Sequence, residues 1–334
     1  MADLRRLSSL RDRTGAPANG GDGRADRGQL LVVGALALAV LFVSLALLLN
    51  TAIYTGNLAT REAGVDGTAG IDYAGAAESA GVDAVRSVNE RNDSSHAALL
   101  TAFEATMRAW DDAASHHRAT AGDLADVDVV AVTNGTQFRQ NDSSRNFTSH
   151  GGAENWTLVA DSEGVTGIHS IRLAVDATRL TDDPSDYVAA DVFHVNVSSD
   201  VGTRSLFLYN DSGTPTARIV EPAGTTTCAA GSVTDGTFVV DVANASVGGA
   251  SCPPLARLDD TSGNVSITFR DGDAAGGTYR LVVDEPPAAL PLSGFATAGA
   301  GQPYWTYGLY AAELRVTYRT PQLDYAATIE VQPP

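Results

Sequence analysis

Residues 30–49 read LLVVGALALAVLFVSLALLL, twenty positions without a charge and with only Gly34 and Ser44 interrupting the apolar run. A helix of that length is about 30 Å long, the thickness of a bilayer's hydrocarbon core. The nine Leu, four Val and Phe42 of the run each favour insertion by roughly 0.3–0.6 kcal/mol near the bilayer centre, so the sum is several kcal/mol. A removable secretory signal has a shorter apolar stretch, about 7–15 residues, and ends in a small-residue cleavage site. Here the run leads into Asn50-Thr51-Ala52-Ile53-Tyr54. The expectation is one retained transmembrane helix, in contact with membrane lipid.

Three features orient it. The 28 residues before Gln29 carry six Arg (5, 6, 11, 13, 24, 27) against four Asp, and the next basic residue after the run is Arg61. Arginine-rich flanks stay inside, which places the N-terminus in the cytoplasm. The Arg5-Arg6 pair is too far from the apolar run to act as a twin-arginine export signal. Asn-x-Ser/Thr sequons begin at Asn92, Asn134, Asn141, Asn146, Asn155, Asn196, Asn210, Asn244 and Asn264, nine of the thirteen Asn, all C-terminal to the run. With 55 Ser and Thr in 334 residues chance supplies roughly two, so the excess points to an extracytoplasmic, glycosylated segment. Asn-rich turns beside Thr-rich strands would generate the same motif without modification. Cys228 and Cys252, both beyond the run, are expected to form a disulfide closing a 25-residue loop, worth about 3 kcal/mol in the chain-entropy account.

Charge then limits the partners. Residues 50–334 contain 16 Arg, no Lys and 36 Asp plus Glu, a net charge of −20, and the whole chain has 30 Asp against 10 Glu. Such a surface repels nucleic acid, so no nucleic-acid partner is expected. The composition matches that of proteins from a salt-loving archaeon, and a GC-rich codon bias accounts for the same counts.

Along the chain, residues 1–28 read as a disordered cytoplasmic tail. From Asn50 to Asn89 apolar residues recur at three-, four- and seven-residue steps, so residues 29–92 are expected to hold the transmembrane helix (30–49) and its extracytoplasmic extension. Gly56, Gly64, Gly67, Gly70, Gly75 and Gly81 weaken that extension by up to about 1 kcal/mol each, so it needs a partner that packs on its small-residue face. Asn92-Asp93-Ser94-Ser95 is a break and cap signal, and Ala97–Thr120, within a segment 93–125, predicts a second helix with Leu99, Leu100, Phe103, Met107, Trp110 and Ala114 on one side. Residues 126–334 change to period two. Strands are expected at Val127–Thr133, Trp156–Ala160, Ile168–Asp176, Val188–Val197, Arg204–Tyr209, Thr237–Val242, Val265–Arg270, Tyr279–Asp284, Tyr307–Tyr318 and Leu323–Val331, the last two as a hairpin turning at Arg319-Thr320-Pro321-Gln322. The fold class is therefore α+β: two helices followed by an extracytoplasmic antiparallel β sandwich or sheet. No second apolar run precedes Pro333-Pro334, which implies one anchor.

Chemical motifs are sparse. His116 and His117 adjoin on a helix and point about 100° apart, which does not build an i, i+4 metal pair. His169 and His194 fall in expected strands, where a lone histidine is commonly a satisfied structural residue; a hydrolase would need them to meet beside carboxylates. Asp182-Asp183-Pro184-Ser185-Asp186, Asp259-Asp260 and Asp271-Gly272-Asp273 lack the full spacing of a calcium loop. The aromatic run Tyr304-Trp305-Thr306-Tyr307-Gly308-Leu309-Tyr310 suits either a carbohydrate surface or core packing. The expectation is a protein that is not an enzyme, with no cofactor and no metal.

At Asp26-Arg27-Gly28-Gln29-Leu30, a basic residue, a glycine and an uninterrupted apolar helix follow one another. This junction resembles the class III signal of archaeal type IV pilin-like proteins, and the stretch through Thr55 is similar to the N-terminus of haloarchaeal membrane proteins of pilin type. The resemblance covers about 35 of the 334 residues. It implies cleavage by a prepilin peptidase between Gly28 and Gln29, a helix that packs with other pilin-like subunits or stays in the membrane, and an outward-facing β domain. The glutamate that many bacterial pilins place fifth in the mature chain is Val33 here, and the mature chain would be long for a major subunit. Both points favour a minor component of a type IV pilus-like surface assembly. The alternative is an uncleaved single-pass surface glycoprotein that binds a partner or envelope carbohydrate.

Overall fold

The computed structural model describes residues 36, 38–43, 68–91, 95–182, 184, 187, 191–259 and 261–333, without the side chain of Ser162. It forms two compact units, residues 1–66 and 67–334. In the first, residues 36 and 38–43 are helical, with Leu36, Leu38, Val40, Leu41, Phe42 and Val43 exposed. The rest of the expected span, the Gly28–Gln29 bond and Asn92 lie outside the described residues. No helix among the described residues is long and apolar enough to cross a membrane.

The second unit opens with helix α1 (Ala69–Glu90), which buries Tyr73, Ala77, Ala84, Val85 and Val88 along one face. Two of its glycines are close-approach positions. A Cβ at Gly70 would lie 2.8 Å from the Tyr325 ring, and one at Gly81 would lie 2.9 Å from both Leu314 and Val331. The partner that the glycine-rich face needs is thus a sheet. Helix α2 (His96–Ala121) starts at Ser95, whose Oγ accepts from the Ala98 N–H at 3.2 Å, and stops at Gly122 in the left-handed region. Leu99, Phe103 and Met107, one turn apart, are its buried residues.

Among the described residues fifteen strands follow: β1 (Leu124–Gln140), β2 (Trp156–Val159), β3 (Ile168–Asp176), β4 (His194–Ser199), β5 (Gly202–Asp211), β6 (Thr214–Glu221), β7 (Gly224–Ala229), β8 (Thr237–Asp241), β9 (Ser246–Val247), β10 (Ala250–Ser251), β11 (Ser266–Arg270), β12 (Gly277–Val283), β13 (Ala296–Thr297), β14 (Tyr304–Arg319) and β15 (Asp324–Val331). The larger sheet runs β10-β9-β8-β3-β12-β1-β14-β13, with β15 also paired to β14; the smaller runs β2-β11-β4-β5-β6-β7. All pairs are antiparallel except β13 with β14. The chain is therefore α+β, and its two sheets share one core that includes Leu173, Leu281 and Phe138 from the larger and Val195, Leu206 and Phe269 from the smaller.

A second core, with Tyr73, Val85, Phe103, Met107, Leu314, Val316 and Tyr318, lies between the two helices and the β1, β14 and β15 strands. The long strands β1 and β14 thus serve both cores. The Cys228–Cys252 disulfide joins the end of β7, an edge of the smaller sheet, to the residue after β10, an edge of the larger.

Several expectations are corrected. β1 continues through Asn134-Gly135 to Gln140, because Gly135 lets the Val283 carbonyl approach where any Cβ would collide. Of the strand expected at Val188–Val197, residues 188–190 lie outside the described residues, and the described part is β4 from His194, with Asp191 at φ +49° turning the chain before it. β6 and β7 are additional strands that the period-two pattern does not mark. They form hairpins through Ser212-Gly213, with φ of +50° and +92°, and Pro222-Ala223, and the first is the two-residue turn with positive φ that antiparallel strands favour.

Candidate assembly face

The helix pair is held on the sheet by a few specific polar bonds set among apolar contacts. Asn89, buried at the end of α1, donates from Nδ2 to the Leu309 carbonyl at 2.8 Å and accepts at Oδ1 from the Leu309 N–H at 2.7 Å. Along that edge of β14, β13 pairs with Tyr304 and Trp305 and β15 with Ala312–Arg319. Leu309 falls in the gap between them, and the Asn89 amide takes the place of a strand.

At the other end, Asp111 of α2 accepts the Val127 N–H at 2.9 Å and faces the Tyr73 hydroxyl at 3.5 Å. Burial raises the Asp111 carboxyl above the usual carboxylate range, partly offset by the Val127 hydrogen bond. The Tyr318 hydroxyl donates to Asp123 at 2.6 Å. Arg118 lies 5.9 Å from the centre of the Tyr73 ring and 5.6 Å from that of Tyr318, a cation–π cap on the apolar layer.

The histidines do not meet. His169, in the larger sheet, is buried: its Nε2 faces the Tyr310 carbonyl at 2.9 Å and its Nδ1 the Ser170 hydroxyl, also at 2.9 Å. A carbonyl only accepts, so Nε2 carries the proton and Nδ1 accepts from Ser170. Burial lowers this imidazole from 6.5 to about 4, so it is neutral. His194, in the smaller sheet, stacks on Phe207 at 4.4 Å, places Nδ1 2.9 Å from the Val192 carbonyl and lies 3.6 Å from Asp271. Among the described residues no three His, Cys, Asp or Glu side chains come together around a metal position. The aromatic run lies in β14 and packs inward in part, with Tyr304 and Leu309 buried and Tyr307 edge-on to His96 at 4.9 Å.

The sequons divide by surroundings. Asn134, Asn141, Asn155, Asn244 and Asn264 are exposed. Asn146 and Asn210 are half-buried, and their Nδ2 atoms, the glycosylation atoms, donate to the Asp273 carbonyl at 3.0 Å and to Asp182 at 2.5 Å. Asn196 has its Oδ1 buried.

The class defined here is a two-helix layer on a large antiparallel sheet, continued into a disulfide-closed sandwich. Residues 24–183 match a family of unknown function (DUF7261), a span that takes in the apolar run, both helices and strands β1 to β3. No curated protein and no solved structure matches the chain.

Proposed function

We propose that this chain is a membrane-anchored, extracytoplasmic pilin-like protein, a minor component of a type IV pilus-like surface assembly. The observation that carries the reading is the junction Arg27-Gly28-Gln29 set directly against the twenty-residue apolar run. Two further features support it. The chain returns after that run as α1, whose glycines let it lie close on the β14–β15 hairpin, so the outer body has a helix on its N-terminal side. The disulfide and the exposed sequons suit an oxidising, glycosylating exterior.

In this account Gly28–Gln29 is cut by a prepilin peptidase, and the released apolar helix joins other subunits through lipid or through a filament core. Shearing intact cells and analysing the released filaments tests it: the chain is expected in the sheared fraction at low stoichiometry. Its complete retention in the membrane fraction would contradict a filament component and favour an uncleaved surface glycoprotein. That second reading draws on the exposed Asn134, Asn155, Asn244 and Asn264, which would place sugars around the sandwich.

A further inference from the structure

The strand register places three arginines side by side. Arg139 of β1 is opposite Arg280 of β12, which is opposite Arg172 of β3, and Arg172 in turn is opposite Asp241 of β8. Each alternates with residues of the sandwich core: Phe138, Tyr279 and Leu281, Ile171 and Leu173. The guanidinium groups therefore point away from that core, across roughly 10 Å of sheet from β1 to β3. Like charges directly opposite on neighbouring strands repel. This is notable in a segment with 16 Arg and no Lys against 36 carboxylates.

The local carboxylates neutralise the row only in part, since two of them, Glu90 and Asp241, face three guanidinium groups. Glu90 reaches Arg280 at 3.4 Å and is itself largely exposed. Asp241 already accepts from the Asn244 N–H and Nδ2, each at 3.0 Å, and Arg86, nearby on α1, is paired with Asp83. Among the described residues neither Arg139 nor Arg172 has an ion-pair partner, and Arg280 Nε is buried without a hydrogen bond. Two clefts of about 460 Å³ and 430 Å³ meet over Arg172, Arg280 and Glu90.

We propose that this row is a binding site for a small multivalent oxyanion ligand, bearing sulfate, phosphate or clustered carboxylate groups. Guanidinium forks hold such groups through paired, charge-assisted hydrogen bonds, and a ligand with several of them would remove the repulsion that the bare row carries. The inference is independent of whether Gly28–Gln29 is cut.

The test uses the full chain in detergent, melted in increasing sulfate or inorganic phosphate against chloride at matched ionic strength, beside Arg172→Gln and Arg139→Gln. Sulfate raises the Tm of most proteins by exclusion from their surface, so the difference between the natural chain and the variants is the readout. Expected is a saturable rise in the natural chain, with apparent affinity reduced about tenfold or more in each variant, while the variants melt no lower than the natural chain in chloride. Equal responses in all three proteins would overturn the site, as would concentration-dependent self-association that Arg172→Gln abolishes with no response to added anion. The two variants lie on different strands, so misfolding of one leaves the other to decide.

Discussion

Asn89 acts as a missing strand for Leu309: its amide supplies both the donor and the acceptor that the Leu309 backbone would find in a neighbouring chain, at 2.8 and 2.7 Å, with Asn89 and Leu309 both buried. Covering a sheet edge with the end of a helix leaves a backbone pair to satisfy, and one side chain does so here. This bond ties the helix that follows the apolar run to the strand that both cores share.

Asn89→Ala therefore strands a buried N–H and a buried C=O. At about 1–3 kcal/mol for each unsatisfied group, the loss should be about 2–6 kcal/mol, read as a lower urea midpoint. Asn89→Asp keeps the acceptor, removes the donor and buries a charge, and should be at least as damaging.

Two glycines of α1 should respond to alanine with opposite signs. A Cβ at Gly75 meets nothing within 4 Å, so Gly75→Ala gains the helix preference of alanine, about 1 kcal/mol. A Cβ at Gly81 comes 2.9 Å from Leu314 and Val331, so Gly81→Ala should overpack the layer and lower stability by about 1–3 kcal/mol, less any propensity gain. Thermal melts of both variants check the pair.

The buried neutral His169 makes stability depend on pH in a defined window. Its pKa is lowered from 6.5 to about 4 on folding, so between these values the unfolded chain binds more protons than the folded one. Stability from this group is complete above pH 6.5 and is lost as pH falls toward 4, by about 3 kcal/mol in all. Subtracting the pH profile of His169→Gln from that of the natural chain should isolate this slope, and a flat difference would contradict the assignment.

The disulfide should matter to the sandwich. Replacing Cys228 and Cys252 by alanine together should cost about 3 kcal/mol, seen as a lower Tm that reductant no longer changes, because the bond joins the β7 edge to the end of β10.

Local patterns made part of this fold legible. The cap at Ser95 and the apolar steps through Met107 placed α2 within a residue at each end, and the period-two alternation around Arg319-Thr320-Pro321-Gln322 placed β14 and β15. β6 and β7 escaped because Thr-Pro-Thr and Gly-Thr-Thr-Thr carry little alternation, and most of β7 is exposed. Asn134-Gly135 has the composition of a turn and so hides the continuation of β1, although its glycine serves the approach of Val283. The Arg139, Arg280, Arg172 row could not be read at all, since strand order, not sequence proximity, brings these residues together.

The Gly28–Gln29 bond decides between a processed pilin-like chain and an uncleaved anchor. Intact-mass and N-terminal peptide analysis of the chain extracted from membranes of its own cells should find Gln29 as the first residue, with the leader through Gly28 absent. A mature chain that begins at Met1 or Ala2 would contradict it.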